Sequence, residues 1–483
     1  MDEKQGASRA GVIGSLGWSF AERILAQLVS TLVGIVLARV LSPDDYGIVS
    51  VVMIFITICN VFVTSGFGTA IVQKKEADRR DFDTAFYLSF AMSLVLYTAL
   101  FFCAPVIAAF YEMPQLIPVL RVLGVRIILT SLNTIQQANI QREMRFKAYF
   151  YANIIGTVLS CGVGVVMAFS GFGVWALVAQ YLTNTTVGSI VMLFVCKWRP
   201  GWSFSWKKAK EIYSFGWKVL CTELVYTTDA NVRGLLVGKV FGPADLAFYE
   251  QGQKYPALFV NNVNAAIQKV MLPAFSRRQD DKESLKAALR RSVQVGAFIV
   301  CPLLMGLAVV ADNFTLVLLT EKWLPAVPFI WVFCMSYMTR PLESACHQAL
   351  LAIGRSGLVF WIMLAINGTG LLVTVVAVFV LKSVLWIALF SLLTTCISLF
   401  CFLLATNKLI GYRLRQQLAD ILPSILLSAG MGVAAFLAGQ IPASPIVVLA
   451  VQILAGAACY VALSILTKPE PFVYIKDTLL RRR

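Results

Sequence analysis

Ionisable side chains recur inside residues 211–278, a stretch that is otherwise apolar enough to cross a membrane twice. A charge at the centre of a bilayer costs about 2.5–3.5 kcal/mol on insertion scales, so such residues normally face a cavity or a partner. At about 100° per residue, four polar side chains share one stripe of the first predicted helix. They are Glu223, Tyr226, Asp229 and Arg233. This spacing predicts a helix that lines a water-filled path.

The second predicted helix of this stretch carries a polar stripe of its own, interrupted at Pro256, where we expect a kink. Its members are Glu250, Gln253, Lys254, Asn261, Asn264 and Gln268. Two facing polar stripes would form a lumen that solvates a transported molecule. The alternative is that these side chains pair with one another only to hold the helices together. Both interpretations fit the pattern.

Basic residues inside other apolar segments also share helix faces with amide side chains. Arg23 lies on the face of Gln27, and Arg126 lies on the face of Asn133 and Gln137. Arginine matches phosphate oxygens bidentately and lysine adds a point charge, so this balance favours an anionic cargo. The predicted substrate-binding cations are Arg23, Arg126, Arg233, Lys254, Lys269 and Arg340. The predicted polar lining is Gln27, Asn133, Gln137, Tyr226, Gln253, Asn261, Asn264 and Gln268.

Three acids are candidates for ion coupling: Glu223, Asp229 and Glu250. A desolvated carboxylate can take up and release protons near neutral pH. Neutralisation of Arg233 and Lys254 explains the same acids equally well. The 11 cysteines form no CxxC pair and His347 is the single histidine, which argues against metal sites and against a disulfide framework. No cofactor and no catalytic residue are expected either.

The composition is that of a polytopic helical membrane protein. Of 483 residues, 59% are hydrophobic and 14% are charged, and the mean hydropathy is +0.78. Soluble domains are about one quarter charged. The net charge of +16 could suggest a nucleic-acid partner, but the basic residues lie between apolar segments, where the positive-inside rule places them. We therefore expect a membrane protein without a nucleic-acid partner.

About fourteen spans of roughly 20 residues or more are predicted. Their limits are 11–41, 46–72, 83–110, 115–140, 149–170, 174–196, 210–241, 246–273, 285–311, 324–352, 357–381, 384–406, 415–438 and 444–467. The first segment is too long for a signal-peptide core, so we expect it to stay as an anchor. Every second connection is rich in Lys and Arg, as around 74–80, 142–147 and 197–210. Both termini are therefore predicted to be cytoplasmic.

An internal repeat divides the chain. ARVLSPDDYG at 38–47 matches GKVFGPADLA at 238–247, with the Pro and Asp positions displaced by 200 residues (243 − 43 and 245 − 45). About six spans separate the copies, which predicts parallel repeats with a substrate site between them. The predicted domains are 1–200 for the first six helices, 201–410 for the next six, and 411–483 for two further helices and a tail. The Trp- and Lys-rich linker near Trp198, Trp202 and Trp206 is expected to lie on the cytoplasmic leaflet, without needing a binding role.

The RVLSPDDYG turn, the QREMRFK run at 141–147 and the polar eighth helix resemble one family. The chain is similar to the bacterial polysaccharide-transport flippases of the multidrug/oligosaccharidyl-lipid/polysaccharide exporter superfamily, such as colanic-acid exporters. The resemblance implies an all-α fold of two six-helix lobes in a V with two additional helices. It also implies alternating access that moves an undecaprenyl-diphosphate-linked repeat unit across the inner membrane, with ion coupling and without enzymatic activity.

The expected partners are the lipid-linked oligosaccharide, the membrane, and a polysaccharide polymerase with its chain-length regulator; the protein itself is expected to be a monomer. Two other functions stay open at this stage. A drug or cation antiporter of the same superfamily would favour acidic cavity residues. A membrane-embedded glycosyltransferase or polymerase would need catalytic groups on sizeable outer loops, and the predicted outer loops are short.

Overall fold

A computed structural model of the protein describes most of the chain. The described residues are 27–65, 67–74, 77–143, 146–196, 198–276, 278 and 281–480. Helices account for nearly all of them, and these residues contain no β-strand. The helices of the first half are α1 (Gln27–Val40), α2 (Pro43–Thr64), α3 (Phe67–Gln73), α4 (Arg79–Tyr111), α5 (Leu116–Arg142), α6 (Phe146–Phe169), α7 (Val174–Val195) and α8 (Trp206–Val240).

The second half continues with helices of similar length. They are α9 (Pro243–Ser276), α10 (Lys282–Phe314), α11 (Val327–Met338), α12 (Arg340–Ala352), α13 (Ser356–Val376), α14 (Val384–Ile410), α15 (Leu414–Ala438), α16 (Pro445–Thr467) and α17 (Glu470–Leu480). A π-helical turn, Thr315–Leu319, and a 3₁₀ segment, Glu321–Ala326, connect α10 to α11. A second π-helical turn, Ala377–Leu381, extends α13.

The predicted all-α membrane fold is confirmed. In the described part of the chain, nine helices are long and apolar enough to cross a membrane, and further apolar stretches lie at Gln27–Val40 in α1 and at Asn153–Phe169 in α6. Helices α8 and α9 are not among the nine, because their polar stripes lower their hydropathy. The total of fourteen spans stays a prediction.

Two local predictions need correction. The predicted tenth span, 324–352, is not one helix, because it breaks at Thr339 between α11 and α12. Pro341 explains the break, since its ring lacks an N–H and collides with the carbonyl four residues earlier, while a proline in the first turn of a new helix is tolerated. The second correction is α17, a helix beyond the last predicted span. Helix α9 is continuous through Pro256, and the kink expected there stays a prediction.

The chain packs as two compact units, Met1–Ala247 and Phe248–Arg483. Helix α8 packs against α2, α3 and α4 and so belongs to the first unit. Within the second unit, α15 packs against α10 and α16. The division at 200 and 410 stays a prediction.

Helix α8 is fastened to α4 at both ends. Near its start, Lys208 Nζ donates to Asp78 Oδ1, and this hydrogen bond lowers the pKa of Asp78 to about 2. Asp78 therefore stays ionised throughout the pH range of a living cell. Near the end of α8, Lys239 Nζ lies 2.8 Å from Glu112 Oε1, and the Tyr111 hydroxyl donates to the Leu235 carbonyl at 3.3 Å. The two helices thus run parallel.

A buried carboxylate holds the loop that precedes α8. The backbone N–H of Gly201 donates to Asp83 Oδ1 at 3.0 Å, and the Ser203 hydroxyl donates to Asp83 Oδ2 at 2.5 Å. The N–H of Ser205 donates to Thr84 Oγ1 at 3.2 Å. Because Asp83 is only 1% exposed, the loop backbone supplies hydrogen bonds that this carboxylate would otherwise lack.

The two repeat turns identified in the sequence touch each other. Ser42 and Asp45 form a reciprocal capping box at the start of α2, with Pro43 in the first turn, so the SPDD sequence begins the helix. One turn further on, Gly47 packs against the backbone of Pro243, which belongs to the second repeat copy. A Cβ atom at position 47 would lie 1.9 Å from the Pro243 carbonyl oxygen. The contact therefore requires glycine.

We expect Gly47→Ala to lower the Tm of the purified protein in detergent, because an added methyl group has only backbone to displace and overpacking costs about 1–3 kcal/mol. Gly162→Ala is the matched control, since a Cβ atom there meets nothing within 4 Å. The control should leave Tm unchanged or raise it slightly. Equal Tm values for Gly47→Ala and the unmodified protein would show that the two turns do not pack as described.

A second buried carboxylate joins three elements of the second unit. Arg290 of α10 makes two 2.7 Å hydrogen bonds to the two oxygens of Asp420 on α15. The hydroxyl of the fully buried Tyr412 donates to Asp420 Oδ2 at 2.6 Å. Gln294 Nε2 bridges Asp420 Oδ1 and Glu470 of α17, each at 2.9 Å. This cluster fixes α15 and α17 on α10.

Asp420→Asn should destabilise the second unit, because it removes the negative charge to which Arg290 and Tyr412 both donate hydrogen bonds. We expect a loss of about 1–3 kcal/mol, which is below the range of about 3–5 kcal/mol for broken buried pairs because Arg290 is partly exposed. Thermal unfolding in detergent measures it. Asp477→Asn, at an exposed position of α17, is the control and should be neutral. The role of the cluster is refuted if the two variants unfold alike.

Candidate functional site

The first unit contains a polar cavity of about 240 Å³ between α5, α6 and α7. Most of its lining side chains carry an amide, a hydroxyl or a guanidinium, and the lining contains no carboxylate. The lining residues are Arg126, Thr130, Asn133, Gln137, Asn153, Asn184, Thr185, Gly188 and Met192. We call this space the Arg126 cavity. Its size matches a phosphate group or a single sugar ring rather than a whole oligosaccharide.

Arg126 supplies the charge of the cavity. Its Nε donates to Thr185 Oγ1 at 3.0 Å, its Nη1 lies 3.4 Å from Met53 Sδ, and its Cζ lies 5.4 Å from the centre of the Tyr181 ring. None of the ion pairs among the described residues includes Arg126. A half-buried guanidinium without a carboxylate partner is costly. The arrangement therefore favours a bound anion.

Hydrogen bonds hold the neutral part of the lining in place. Asn133 Nδ2 donates to Ser189 Oγ at 2.8 Å, which ties α5 to α7. Asn184 Nδ2 lies 3.4 Å from Thr157 Oγ1, which ties α7 to α6. Gly156 allows these last two helices to approach closely, because a Cβ atom there would lie 3.0 Å from the Asn184 carbonyl oxygen. The cavity is thus formed by fixed side chains on rigid helices.

The structure brings together one of the predicted stripes. Arg126, Asn133 and Gln137 all line the Arg126 cavity. Gln27 instead lies in α1, with its Nε2 3.4 Å from Thr31 Oγ1. Arg23 lies outside the described residues.

The charged stripe of α8 does not form an internal pair. Glu223 is exposed, and Asp229 and Arg233 are half-buried. Among the ion pairs of the described residues, none joins Asp229 to Arg233. The backbone at Tyr226 is helical, but its side chain lies outside the described part of the structure. That this stripe lines a transport path stays a prediction. That its acids couple transport to an ion stays a prediction as well.

Two predicted residues of the second unit meet at a tyrosine. Gln253 Nε2 lies 3.0 Å from the Tyr337 hydroxyl, and Arg340 Cζ lies 5.3 Å from the centre of the same ring. Lys254 is exposed, with its Nζ 5.9 Å from the centre of the Tyr255 ring. Tyr337, on α11, thus links Gln253 of α9 to Arg340 of α12. These two residues were predicted to lie on different helices, without a contact between them.

The remaining predicted residues of α9 are described only in part. Glu250 and Asn264 are half-buried and Asn261 is exposed. The side chains of Gln268 and Lys269 lie outside the described part of the structure. The structure thus leaves the cargo contacts of α9 as predictions.

Sequence reasoning missed the contribution of α6 and α7 to the cavity. Asn153, Asn184, Thr185 and Gly188 all line it. A signal was present in the polar run QYLTNTT at 180–186, which lies inside an otherwise apolar predicted span. Positions 184, 185 and 188 fall on one helix face. Reading this run with the Arg126 stripe would have predicted the facing wall.

The described helices and the Arg126 cavity define the chain as a polytopic helical membrane protein with a polar, cationic space inside its first unit. Residues 36–328 match the family model described as "Polysaccharide biosynthesis protein". This match covers more than half of the chain, and the chain belongs to that family. The resemblance inferred from the sequence motifs is therefore confirmed.

Relatives of known name extend the comparison over most of the chain. The teichuronic acid biosynthesis protein TuaB of Bacillus subtilis (strain 168) is 27% identical over 87% of this chain and 88% of its own length. The lipopolysaccharide biosynthesis protein WzxC of Escherichia coli (strain K12) is 23% identical over 73% of this chain and 72% of its own length.

Solved structures share the fold. The lipid II flippase MurJ in an inward closed conformation superimposes with a TM-score of 0.76, covering 93% of this chain and 98% of its own, at 13% identity. An inward-facing multidrug resistance transporter of the MATE family gives a TM-score of 0.62, covering 80% of this chain and 94% of its own, at 14% identity. At these identities the likeness concerns the fold alone.

Pyrophosphate should stabilise the purified protein through the Arg126 cavity, because arginine donors bind phosphate oxygens in charge-assisted hydrogen bonds. We expect Arg126→Gln to raise the half-saturating pyrophosphate concentration in a thermal-unfolding titration by about tenfold or more, equivalent to about 1.5–3 kcal/mol. Arg355→Gln, at an exposed position before α13, controls for loss of one positive charge. An unchanged titration of Arg126→Gln would exclude anion binding in this cavity.

Proposed function

We propose that this chain is a flippase that moves an undecaprenyl-diphosphate-linked oligosaccharide repeat unit across the bacterial inner membrane. The observation that carries the proposal is the Arg126 cavity, a cationic polar space without an acid in a member of the polysaccharide biosynthesis family. Relatives named for polysaccharide biosynthesis and transport and the fold of a lipid II flippase support it.

The chemistry of the cargo fits the groups that the helices present. The guanidinium of Arg126 keeps donors that its contacts with Thr185 and Met53 do not use, and these donors suit phosphate or carboxylate oxygens. Amide side chains such as Asn133 and Gln137 suit sugar hydroxyls. The other basic residues proposed to contact cargo are Arg23, Arg233, Lys254, Lys269 and Arg340.

The proposal includes alternating access coupled to an ion gradient. Asp229 and Glu250 are half-buried acids on the helices that carry the polar stripes, a placement that suits reversible protonation. The exposed Glu223 is the weaker candidate, because its carboxylate is less desolvated. In this scheme both termini are cytoplasmic, the protein works as a monomer, and it delivers its cargo to a polymerase with a chain-length regulator.

The composition of the Arg126 cavity argues against the drug antiporter. A cationic drug would be bound by carboxylates, and the lining contains none. A glycosyltransferase or polymerase would need displayed catalytic groups near its acceptor. Glycan polymerisation by the purified protein would support this second alternative over the flippase.

Transport is tested in liposomes that contain the purified protein and a fluorescent undecaprenyl-diphosphate glycan, with and without a proton or sodium gradient. We expect Arg126→Ala to lower the initial rate by about tenfold or more, since a charge-assisted contact contributes about 1.5–3 kcal/mol. Arg233→Ala and Lys254→Ala are expected to lower it as well.

Arg355→Ala is the control for this assay and should transport at the unmodified rate. Normal transport by the Arg126, Arg233 and Lys254 variants, at normal expression, would refute a mechanism in which these cations bind the cargo. Export of cationic drugs without movement of lipid-linked glycan would instead identify an antiporter.

A further inference from the structure

The start of α8 and the loop before it expose large aromatic side chains. Trp202 is 98% exposed and Trp206 is 80% exposed. Arg199, Lys207 and Lys210 are exposed beside them. These five residues form what we call the basic aromatic surface. So much exposed indole area on a short segment indicates a surface that contacts something other than water.

The opposite side of the same segment is firmly held. Trp198 packs its ring 5.9 Å from Phe82 and 6.0 Å from Phe86, measured between ring centres. Ala209 and Ile212 of the first α8 turns are 5% and 4% exposed. Together with the hydrogen bonds to Asp83 described above, these contacts fix the loop. The exposed side chains are therefore presented from an ordered backbone, which lowers the entropy cost of binding a partner.

The positive charges of the surface are available. Lys208, between the two exposed lysines, turns inward to Asp78 and Asp81. Arg199, Lys207 and Lys210 take part in none of the ion pairs of the described residues. Three cations without an acid partner thus lie next to two exposed indoles, which calls for an anionic and partly apolar partner.

We propose that the basic aromatic surface binds the headgroups of anionic phospholipids at one membrane face. Indole rings favour the headgroup level of a bilayer, where one edge is apolar and the other is wet. Each Lys or Arg near an anionic membrane surface adds to the electrostatic attraction. An acidic peptide would satisfy the cations, but it would leave Trp202 and Trp206 without an apolar layer. The proposal is independent of the transported cargo.

The test is thermal unfolding of the full chain in dodecyl maltoside during titration with phosphatidylglycerol, phosphatidylcholine or an acidic peptide. We expect phosphatidylglycerol to raise Tm and phosphatidylcholine to have little effect. The triple variant Arg199→Gln, Lys207→Gln, Lys210→Gln should need about tenfold or more phosphatidylglycerol for half of the shift. The charge-retaining variant Arg199→Lys, Lys207→Arg, Lys210→Arg is the matched control and should titrate like the unmodified protein.

A second variant separates the aromatic contribution. Trp202→Ala with Trp206→Ala keeps every charge and should also weaken the phosphatidylglycerol shift. Because all five side chains are exposed, both multiple variants should keep the lipid-free Tm. Three results would overturn the proposal: an undiminished shift in the triple Gln variant, an equal shift with phosphatidylcholine, or a larger shift with the acidic peptide. Normal glycan transport by these variants would leave the flippase proposal intact.

Discussion

Hydrocarbon does not solvate charge, and in both units several charged side chains pair between helices near the helix ends. The backbone N–H and C=O groups find their hydrogen-bond partners within the helices. Charged contacts between helices must therefore come from side chains. In the first unit they fasten α8 to α4 at both ends, through Lys208 and Lys239. In the second unit, Arg290 and Asp420 fasten α15 to α10. Arg126 differs from these, because its cavity offers amides and hydroxyls but no acid.

The fold class could be predicted from the sequence because membrane helices obey a simple rule. A run of about 20 apolar residues has few other stable forms, and each predicted span from the second onward overlaps a described helix. The break at Thr339 and the helix α17 were missed for a different reason. The break depends on the single residue Pro341, and α17 depends on its contact with α10. Average hydropathy detects neither of these features.

The candidate site, too, could be predicted only where neighbouring residues of one helix determine it. A period of 3.6 residues places Arg126, Asn133 and Gln137 on one face, and the structure places all three in one cavity. Helical periodicity cannot tell which helix faces that stripe, so the wall from α6 and α7 was missed. The same limit hid Tyr337, where Gln253 and Arg340 meet, and Glu112, the partner of Lys239.

The attachment of α8 to the first unit determines where the chain could be split into two fragments. The sequence repeat suggests separating the halves near residue 200, but this would detach α8 from the carboxylates and hydroxyl that hold it. A cleavage point at Phe241–Gly242, in the turn between α8 and α9, would keep those bonds within one fragment.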